Sequence, residues 1–328
     1  MTTCILCGSL TQRVINSLPG YQEGKTFDIN YCENCDTSVA SPLAVDEALY
    51  NLIYANAKST PGYDRYYRYA GDVLQVKDPL RYLAESEDTY WSISHFIKTI
   101  NKRANPKILE VGCGLGYLTY ALIKDGYAAT GIDISEQAIK EATRRYGDYY
   151  ICGDVKDPNI TGQYAYDIII LTEVIEHIPD PVGFIASLKR LLAKEGAILI
   201  TTPNKEADTN KHEYWNTELP PVHLWWLSRK SFISMAGAID MQASFIDYTL
   251  FVNKQVNYPV ATSAWRKQTL SENRQVLFQV PHNRLRYNTK RKLIDLNVLS
   301  LLKTLVLSTT KRRPIVHSQR LTAILSIV

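Results

Sequence analysis

Residues 107–120 read Lys-Ile-Leu-Glu-Val-Gly-Cys-Gly-Leu-Gly-Tyr-Leu-Thr-Tyr, and this stretch decides the fold. Ile108, Leu109 and Val111 form a short apolar run that is typical of a buried parallel strand. The three alternate glycines that follow allow a sharp turn and a close approach to a ligand, because they carry no Cβ atom. A helix is expected from Tyr117 onward. The stretch therefore predicts a strand, a glycine loop and a helix of an α/β fold with a parallel sheet.

The spacing of these glycines discriminates between ligands. In the dinucleotide pattern G-x-G-x-x-G the third glycine comes one place later, and a pyrophosphate rests on the helix N-terminus. Here the pattern is acidic-x-G-x-G-x-G, in which Glu110 comes shortly before Gly112. A carboxylate at this place repels a pyrophosphate but suits a ligand that carries an ammonium group and no phosphate. We therefore expect S-adenosylmethionine as the ligand.

Further strands follow with acidic residues at their ends. The run 127–132 is apolar, and Asp133 closes it 21 positions after Gly112. An acidic residue at this spacing accepts hydrogen bonds from ribose hydroxyls. Asp154 follows a third strand and is placed to accept the adenine amino group, and Ser135 is a candidate helix N-cap. Two more strands are expected at 166–171 and 197–202.

These motifs resemble those of class I S-adenosylmethionine-dependent methyltransferases. The resemblance rests on Glu110–Gly116, Gly131–Ile134, Gly153-Asp154 and Glu173–Asp180, and it covers roughly half the chain. It implies a Rossmann-like seven-stranded sheet over residues 106–252, with both substrates in the crevice at the C-terminal edge of the strands. The donor contacts that it implies are Glu110, Gly112, Gly114, Gly116, Asp133, Ile134, Asp154 and Thr172.

The N-terminal segment, residues 1–41, contains four of the six cysteines. They form two C-x2-C pairs separated by 24 residues, a spacing typical of a zinc ribbon. Disulfide bonding is the alternative, but no signal peptide points to export. A closed site of four thiolates leaves no coordination position open, so we expect a structural zinc ion. Its ligands are Cys4, Cys7, Cys32 and Cys35.

Residues 42–105 read as a helical cap that is dense in tyrosine. One interpretation is a layer that packs its rings between the zinc ribbon and the sheet. The other is a lid that bends at Pro61-Gly62 and covers the crevice. In the second case the rings that contact the substrate would come from Tyr63, Tyr66, Tyr67 and Tyr69.

The C-terminal extension, residues 253–328, differs in charge. Between residues 251 and 328 there are 14 Lys or Arg and two acids, whereas the whole chain has a net charge of only +4. A helical run at 293–307 lies between the basic clusters 290–292 and 311–313. Three interpretations stay open: a packed appendage or dimer interface, a contact with a membrane surface, and a nucleic-acid patch. Few aromatic residues occur here, which favours a membrane over RNA.

Localisation is expected to be cytoplasmic, because the chain starts without the basic and apolar segments of a signal peptide and lacks an apolar run long enough to span a bilayer. Peripheral contact with a membrane goes with the second interpretation of the tail. The sequence does not fix an oligomeric state.

The acceptor site is expected beside the fourth strand, where Glu173, Glu176 and His177 follow. His177 is a candidate general base for an acceptor hydroxyl, since the ordinary pKa of histidine is about 6.5. The E-x-x-E-H string also resembles the magnesium site of ubiquinone-biosynthetic O-methyltransferases, which implies Mg²⁺ on Glu173, Glu176 and His177. Alternatively, Glu176 and His177 only shape the loop and the start of the next helix.

A second acceptor-side segment, residues 219–229, contains His223. It resembles the P-P-x-H-L-x-x-F-S segment of bacterial methyltransferases that are encoded near polysaccharide and sugar-nucleotide genes. It also resembles the E-H-L-x-x-F-S segment of zinc-ribbon nucleotide-sugar C-methyltransferases. There the histidine lies in the substrate pocket, which implies a catalytic or binding role for His223. The alternative is a buried histidine that hydrogen-bonds a backbone carbonyl under Trp225 and Trp226.

Together these features predict an enzyme that methylates a hydroxyl of a saccharide or other small metabolite, with S-adenosylmethionine as donor. Alternatives are a zinc-ribbon RNA methyltransferase, a nucleotide-sugar C-methyltransferase and a degenerate methyltransferase fold that acts as a binding subunit. The ribbon is not notably basic, which argues against nucleic acid as a partner. The sequence does not identify the acceptor atom.

Overall fold

The computed structural model describes residues 2–101, 103–158, 165–207, 218–255, 268–277, 284–296, 298–309 and 318–327. Strands within these residues are β1 (Gln12–Pro19), β2 (Thr26–Cys32), β3 (Thr37–Ser41), β4 (Lys107–Val111), β5 (Ala128–Asp133), β6 (Tyr150–Cys152), β7 (Tyr166–Thr172), β8 (Leu192–Pro203), β9 (Trp225–Trp226), β10 (Met241–Phe245) and β11 (Arg320–Ile327). Helices are α1 (Glu47–Ala55), α2 (Asp64–Asp72), α3 (Pro79–Ser86), α4 (Asp88–His95), α5 (Tyr117–Lys124), α6 (Glu136–Tyr146), α7 (Pro181–Lys189), α8 (Arg229–Gly237), α9 (Thr249–Val252), α10 (Arg284–Asp295) and α11 (Val298–Thr309).

The larger sheet has seven strands in the order β10-β11-β8-β7-β4-β5-β6. Strands β6, β5, β4, β7 and β8 are parallel, and β11 is antiparallel to both of its neighbours. The central strands are continuous apolar runs because helices cover both faces, and residues 168–171 and 198–200 are completely buried. The predicted seven-stranded Rossmann-like sheet is confirmed.

Strand β11 comes from the segment that the sequence analysis assigned to the C-terminal extension. It pairs with β8 along its length, from Arg320 opposite Pro203 to Ser326 opposite Ala197. Residues 321–325 are buried in the sheet. The predicted domain boundary at residue 252 therefore has to be corrected, because the sheet is completed by a strand that follows about 70 residues later.

The smaller sheet has the order β1-β2-β3-β9 and contains the predicted zinc ribbon. Its first three strands form the two consecutive hairpins of the ribbon, whereas β9 comes from the segment beyond β8. The β3–β9 pairing places Ser38 opposite Trp226 and Val39 opposite Trp225. The ribbon is thus joined by backbone hydrogen bonds to the segment that carries His223.

The cap packs three of its eight tyrosines into the core. Tyr69, Tyr82 and Tyr90 are almost completely buried, and they belong to the same apolar cluster as Ile108 of β4. Edge-to-face contacts join these rings, with 5.7 Å between the ring centroids of Tyr69 and Tyr90. These contacts agree with the interpretation of the cap as a packed layer.

The predicted helix at 293–307 is two helices, because α10 ends at Asp295 and α11 begins at Val298. The basic cluster 311–313 lies outside the described residues. In the described part of the chain, none of the helices has both the length and the apolar character needed to span a lipid bilayer.

Candidate active site

The glycine loop lies between β4 and α5 and turns through left-handed backbone angles. Gly112 has φ +73°, and a Cβ atom there would lie 2.6 Å from Cγ2 of Val174. Gly114 has φ +50°, and a Cβ atom there would lie 3.6 Å from the Tyr54 hydroxyl, an ordinary contact. Any larger residue at Gly112 would strain the backbone and clash with the Val174 side chain, so the loop requires glycine there.

Gly116 has a different role from the one predicted. A Cβ atom at this position would lie 2.6 Å from the Tyr150 ring and 2.7 Å from Cβ of Ala142. Tyr150 also donates a hydrogen bond of 2.7 Å to the Gly116 carbonyl. Gly116 therefore permits close packing between the start of α5 and its neighbours, and it does not line the cavity described below.

Asp133 ends β5 directly opposite the loop. One carboxylate oxygen accepts a hydrogen bond from the Gly114 amide and the other from the Ser135 amide, both at 2.8 Å. Ser135 is the predicted N-cap of α6, and its hydroxyl accepts from the Ala138 amide. Burial raises the pKa of Asp133, while the backbone donors oppose this shift. The carboxylate is thereby fixed in one orientation, with lone pairs left for a ligand.

Glu110 is a buried acid on β4, only 4 % exposed. Its Oε2 accepts a hydrogen bond of 2.5 Å from the Thr119 hydroxyl. Burial raises the pKa of Glu110 to about 7, and the bond from Thr119 only partly opposes this. A cationic ligand beside this carboxylate would favour its ionised form.

A cavity of 570 Å³ opens at the C-terminal edge of β4, β5 and β7. Seven of the eight predicted donor contacts line it, the exception being Gly116. The fold thus brings these predicted donor contacts together on one cavity. The lining donor residues are Glu110, Gly112, Gly114, Asp133, Ile134, Asp154 and Thr172.

The opposite wall of the same cavity comes from α1, α2 and the segment before β9. Of the four predicted lid tyrosines, Tyr63 and Tyr66 line the cavity. Tyr69 lies in the core instead, and Tyr67 is exposed at the surface. Four further residues that no sequence motif marks also line the cavity. They are Tyr50 and Tyr54 of α1, Tyr117 of α5 and the acid Glu218.

Two arginines in this wall were missed by the sequence analysis. Arg320 of β11 lies 3.3 Å from a carboxylate oxygen of Glu173, and both side chains are 11 % exposed. Burial opposes the charge of Arg320, but Glu173 together with Asp88 and Tyr66 outweighs this effect and raises the pKa of Arg320. Arg65 of α2 donates a hydrogen bond of 2.7 Å to the Tyr66 hydroxyl. No local motif marks either residue, because only the fold brings them to the cavity.

The two predicted histidines are neighbours in the cavity, with 4.9 Å between their ring centroids. Nδ1 of His177 lies 2.5 Å from the Val222 carbonyl oxygen, so it carries the proton that it donates there. Burial lowers the pKa of His177 to about 4, although the carbonyls of Val222 and Glu173 oppose the shift. His177 is therefore a neutral ring with the lone pair on Nε2.

His223 is paired with a buried acid. Its Nε2 lies 4.0 Å from Oε1 of Glu176, a side chain with no exposed surface. The other oxygen of Glu176 accepts from the Thr202 hydroxyl at 3.1 Å. Burial, together with the charge of Glu173, raises the pKa of Glu176 well above its usual range.

The predicted magnesium ligands do not form a set. Glu173 is engaged by Arg320, and its Oε1 also accepts from Thr201. Within the described residues, the side chains of this region that could share a metal ion are Glu176, His177 and His223, whose ligand atoms lie within 4.8 Å of one another. One carboxylate and two imidazoles do not fit Mg²⁺, which prefers oxygen ligands. The magnesium prediction is therefore not supported by this geometry.

The four ribbon cysteines converge as predicted. Sγ of Cys4 lies 3.6 Å from Sγ of Cys35, and Sγ of Cys7 lies 3.5 Å from Sγ of Cys32. These separations are too long for disulfides, whose S–S length is about 2.05 Å. They are close to the roughly 3.8 Å expected between thiolates of a tetrahedral site with Zn–S bonds of about 2.3 Å. The donor set therefore fits a zinc ion.

A protein-family model described as "Methyltransferase domain" matches residues 85–242. The chain contains a methyltransferase domain. The matched range includes the glycine loop, Asp133, Asp154 and both histidines. The structure adds β11 to this methyltransferase domain from outside the matched range.

Curated relatives match the methyltransferase domain over part of its length. Ubiquinone biosynthesis O-methyltransferase of Actinobacillus pleuropneumoniae serotype 5b is 32 % identical over 119 residues, which are 32 % of this chain and 51 % of the relative. The enzyme of the same name from Neisseria meningitidis serogroup A is 26 % identical over 180 residues, 47 % of this chain and 76 % of the relative. The chain thus spans about half the length of the first of these relatives.

Solved methyltransferase structures are also similar to this chain. A plantazolicin methyltransferase in complex with a triazolic desmethylPZN analog and SAH is 19 % identical, covers 86 % of this chain and 99 % of its own, and has a TM-score of 0.43. A SAM-dependent methyltransferase from Archaeoglobus fulgidus is 15 % identical, covers 75 % and 94 %, and has a TM-score of 0.42.

Proposed function

We propose that this protein is an S-adenosylmethionine-dependent methyltransferase whose acceptor is a hydroxyl of a saccharide or another small polar metabolite. One observation carries the proposal: a single cavity joins the predicted donor residues to His177 and His223. Methyl transfer needs the two substrates in line within one enclosed space, because most of the catalysis comes from positioning and desolvation.

The donor is held by three acids in this proposal. Glu110 receives the ammonium group, Asp133 receives the ribose hydroxyls, and Asp154 receives the adenine amino group. The glycine loop lets the methionine part approach the backbone. The sulfonium methyl would then point towards His177 and His223, which line the same cavity as the donor residues.

The proton of the acceptor hydroxyl goes to His223 in this proposal. His177 is a poor base, because burial lowers its pKa to about 4. Nε2 of His223 lies 4.0 Å from Oε1 of the buried Glu176, and this carboxylate in its ionised form would stabilise a protonated ring. His177 instead orients the acceptor through Nε2, while its Nδ1 is held by Val222.

The chemistry of the acceptor wall supports a polyol. Tyr63 and Tyr66 offer ring faces and hydroxyls, and Arg65 and Arg320 offer planar donors that are already paired with carboxylates. Such paired polar groups can bind neighbouring hydroxyls without leaving a net buried charge. The name of the curated relatives, ubiquinone biosynthesis O-methyltransferase, supports oxygen as the acceptor atom.

In the test, the protein and a methyl-labelled donor are added to a cell lysate that contains small metabolites, nucleotide sugars and RNA. The labelled products are identified by mass spectrometry. We expect a label on a small polar product, which depends on the added protein. His223→Ala should reduce labelling by ~10²–10⁴-fold, the usual effect of losing a general base. His177→Ala should mainly raise the KM of the acceptor.

His95→Ala is the matched control, because this histidine stacks on Trp91 at 4.8 Å and lies away from the cavity. It should label like the wild type. Labelled RNA in place of a small product would overturn the acceptor class. Inhibition by a chelator that leaves the ribbon zinc bound, reversed by an added divalent ion, would assign Glu176, His177 and His223 to a metal instead of a proton.

A further inference from the structure

Helix α11 carries an apolar stripe that faces away from the protein. Leu301, Leu302, Leu305 and Val306 are 61 %, 42 %, 55 % and 40 % exposed. Their spacing places them on one side of the helix, one turn after another. We call these four residues the leucine stripe. Contiguous exposed apolar surface of this kind marks an interaction site.

The side of α11 next to the leucine stripe attaches the helix to the protein. Leu299 packs against the core cluster formed by the cap and the sheet. Lys303 donates a hydrogen bond of 3.1 Å to the side-chain oxygen of Gln255. The orientation of the leucine stripe is therefore set by contacts that flank it on the same helix.

The preceding helix, α10, is firmly attached as well. Arg291 forms an ion pair of 2.8 Å with Asp72 of α2, and the Arg68 guanidinium lies 4.2 Å from the centroid of the Tyr287 ring. The Asp295 carboxylate accepts a hydrogen bond of 2.8 Å from the Lys77 amide. The hairpin of α10 and α11 is therefore held on the cap while the leucine stripe remains exposed.

The charge of the hairpin selects the type of partner. Residues 284–309 contain six Lys or Arg and a single acid, Asp295. Lys292 is exposed on α10. Docking of a second copy would bring equal positive charges together, which opposes self-association. An anionic surface that also accepts apolar side chains satisfies both features of the hairpin.

We propose that the α10–α11 hairpin docks on the anionic surface of a lipid bilayer. The leucine stripe enters the boundary between headgroups and acyl chains, Lys292 contacts the lipid phosphates, and the net positive charge of the hairpin attracts it to the surface. This peripheral binding needs no spanning segment and does not depend on the methyl-transfer reaction.

The test is co-sedimentation of the full chain with vesicles. We expect the protein to pellet with vesicles of equal parts phosphatidylglycerol and phosphatidylcholine, and less as salt screens the charges. It should stay in solution with pure phosphatidylcholine. The double variant Leu301→Asp/Leu305→Asp should lower the partition coefficient at least about tenfold, because two apolar side chains are lost from the bilayer boundary.

The matched control is Leu10→Asp/Leu250→Asp, which changes two leucines that are 66 % and 57 % exposed on other elements. It should bind vesicles like the wild type. Lys292→Glu is a second variant, and it should not affect packing because Lys292 is exposed. It should lower binding to anionic vesicles several-fold at low salt. Unfolding temperatures verify that each variant is folded.

Three results would overturn the proposal. The first is a folded wild-type protein that does not pellet with anionic vesicles at low salt, and the second is a stripe variant that pellets as well as the wild type. The third is a wild-type dimer in light scattering that the stripe variant converts to a monomer, because the leucine stripe would then be a dimer interface.

Discussion

Replacement of Glu110 by glutamine should make the protein more stable at alkaline pH and weaken its binding of the donor. The pKa of this buried acid is raised from 4.5 to about 7. The folded state therefore holds the proton more tightly than the unfolded state does. The stability that this group contributes is complete below pH 4.5 and is lost as the pH rises through 7.

The size of the effect follows from the shift. A shift from 4.5 to about 7 corresponds to about 3 kcal/mol of unfolding free energy that is lost by pH 8. Glutamine has the same shape and can still accept the hydrogen bond from Thr119, but it never ionises. Glu110→Gln should thus be about 3 kcal/mol more stable than the wild type at pH 8 but only about 1 kcal/mol more stable at pH 5.

Donor binding should change in the opposite direction. If Glu110 holds the ammonium group, its neutral substitute loses a hydrogen bond to a charged partner, which is worth about 1.5–3 kcal/mol or roughly 10–150-fold in Kd. Urea unfolding at pH 5 and pH 8 measures the first effect, and titration calorimetry with S-adenosylmethionine measures the second. Glu136→Gln, an exposed acid at the start of α6, is the control and should change neither.

Each half of this prediction can be refuted separately. Parallel stability curves for Glu110→Gln and the wild type between pH 5 and pH 8 would show that burial does not raise the pKa of Glu110. An unchanged Kd would show that the carboxylate does not contact the donor.

Three further predictions concern the donor, the zinc ion and the histidine. Asp133→Ala should weaken donor binding by ~1–3 kcal/mol, and calorimetry that gives the wild-type Kd would contradict the ribose contact. Protein prepared without chelator should contain about one zinc per chain by elemental analysis, and Cys4→Ser should lose both the zinc and thermal stability. Because burial lowers the pKa of His177 to about 4, this residue should produce no acid limb near pH 6.5 in the turnover profile. Such a limb in the wild type that disappears in His177→Ala would contradict its assignment.

The donor side could be predicted from the sequence because its signals are local. A buried strand, a glycine turn and an acid at the end of the next strand each occupy a few consecutive residues, and parallel strands bring their ends to one edge. Asp133 lies beside Gly114 for this reason. Gly116 belongs to the same motif, but its environment depends on α6 and Tyr150, and the glycine pattern contains no information on that packing.

The acceptor side could not be predicted in the same way, because its residue pairs join segments that are far apart in the sequence. Arg320 reaches Glu173 only because β11 inserts between β8 and β10, and the chain between α9 and β11 gives no sign of that insertion. The E-x-x-E-H string suggested that Glu173 acts with Glu176. In the fold Glu173 instead pairs with Arg320, and Glu176 lies beside His223, which comes from another segment.

The zinc ribbon has a consequence for the acceptor side that its closed coordination shell does not suggest. The Ala40 amide of the ribbon donates to the Leu224 carbonyl at 2.9 Å, and the Leu224 amide donates to the Glu176 carbonyl at 2.8 Å. The Tyr21 amide donates to the Pro220 carbonyl at 2.7 Å. The peptide that carries His223 is therefore fixed between the ribbon and the chain at Glu176, whereas the glycine loop and Asp133 are held by hydrogen bonds and packing within the larger sheet and its helices. Because a metal-bound ribbon keeps its hairpins rigid, loss of zinc should displace His223 first and affect the donor residues last. A structural zinc ion can in this way control the acceptor half of the cavity without contacting either substrate.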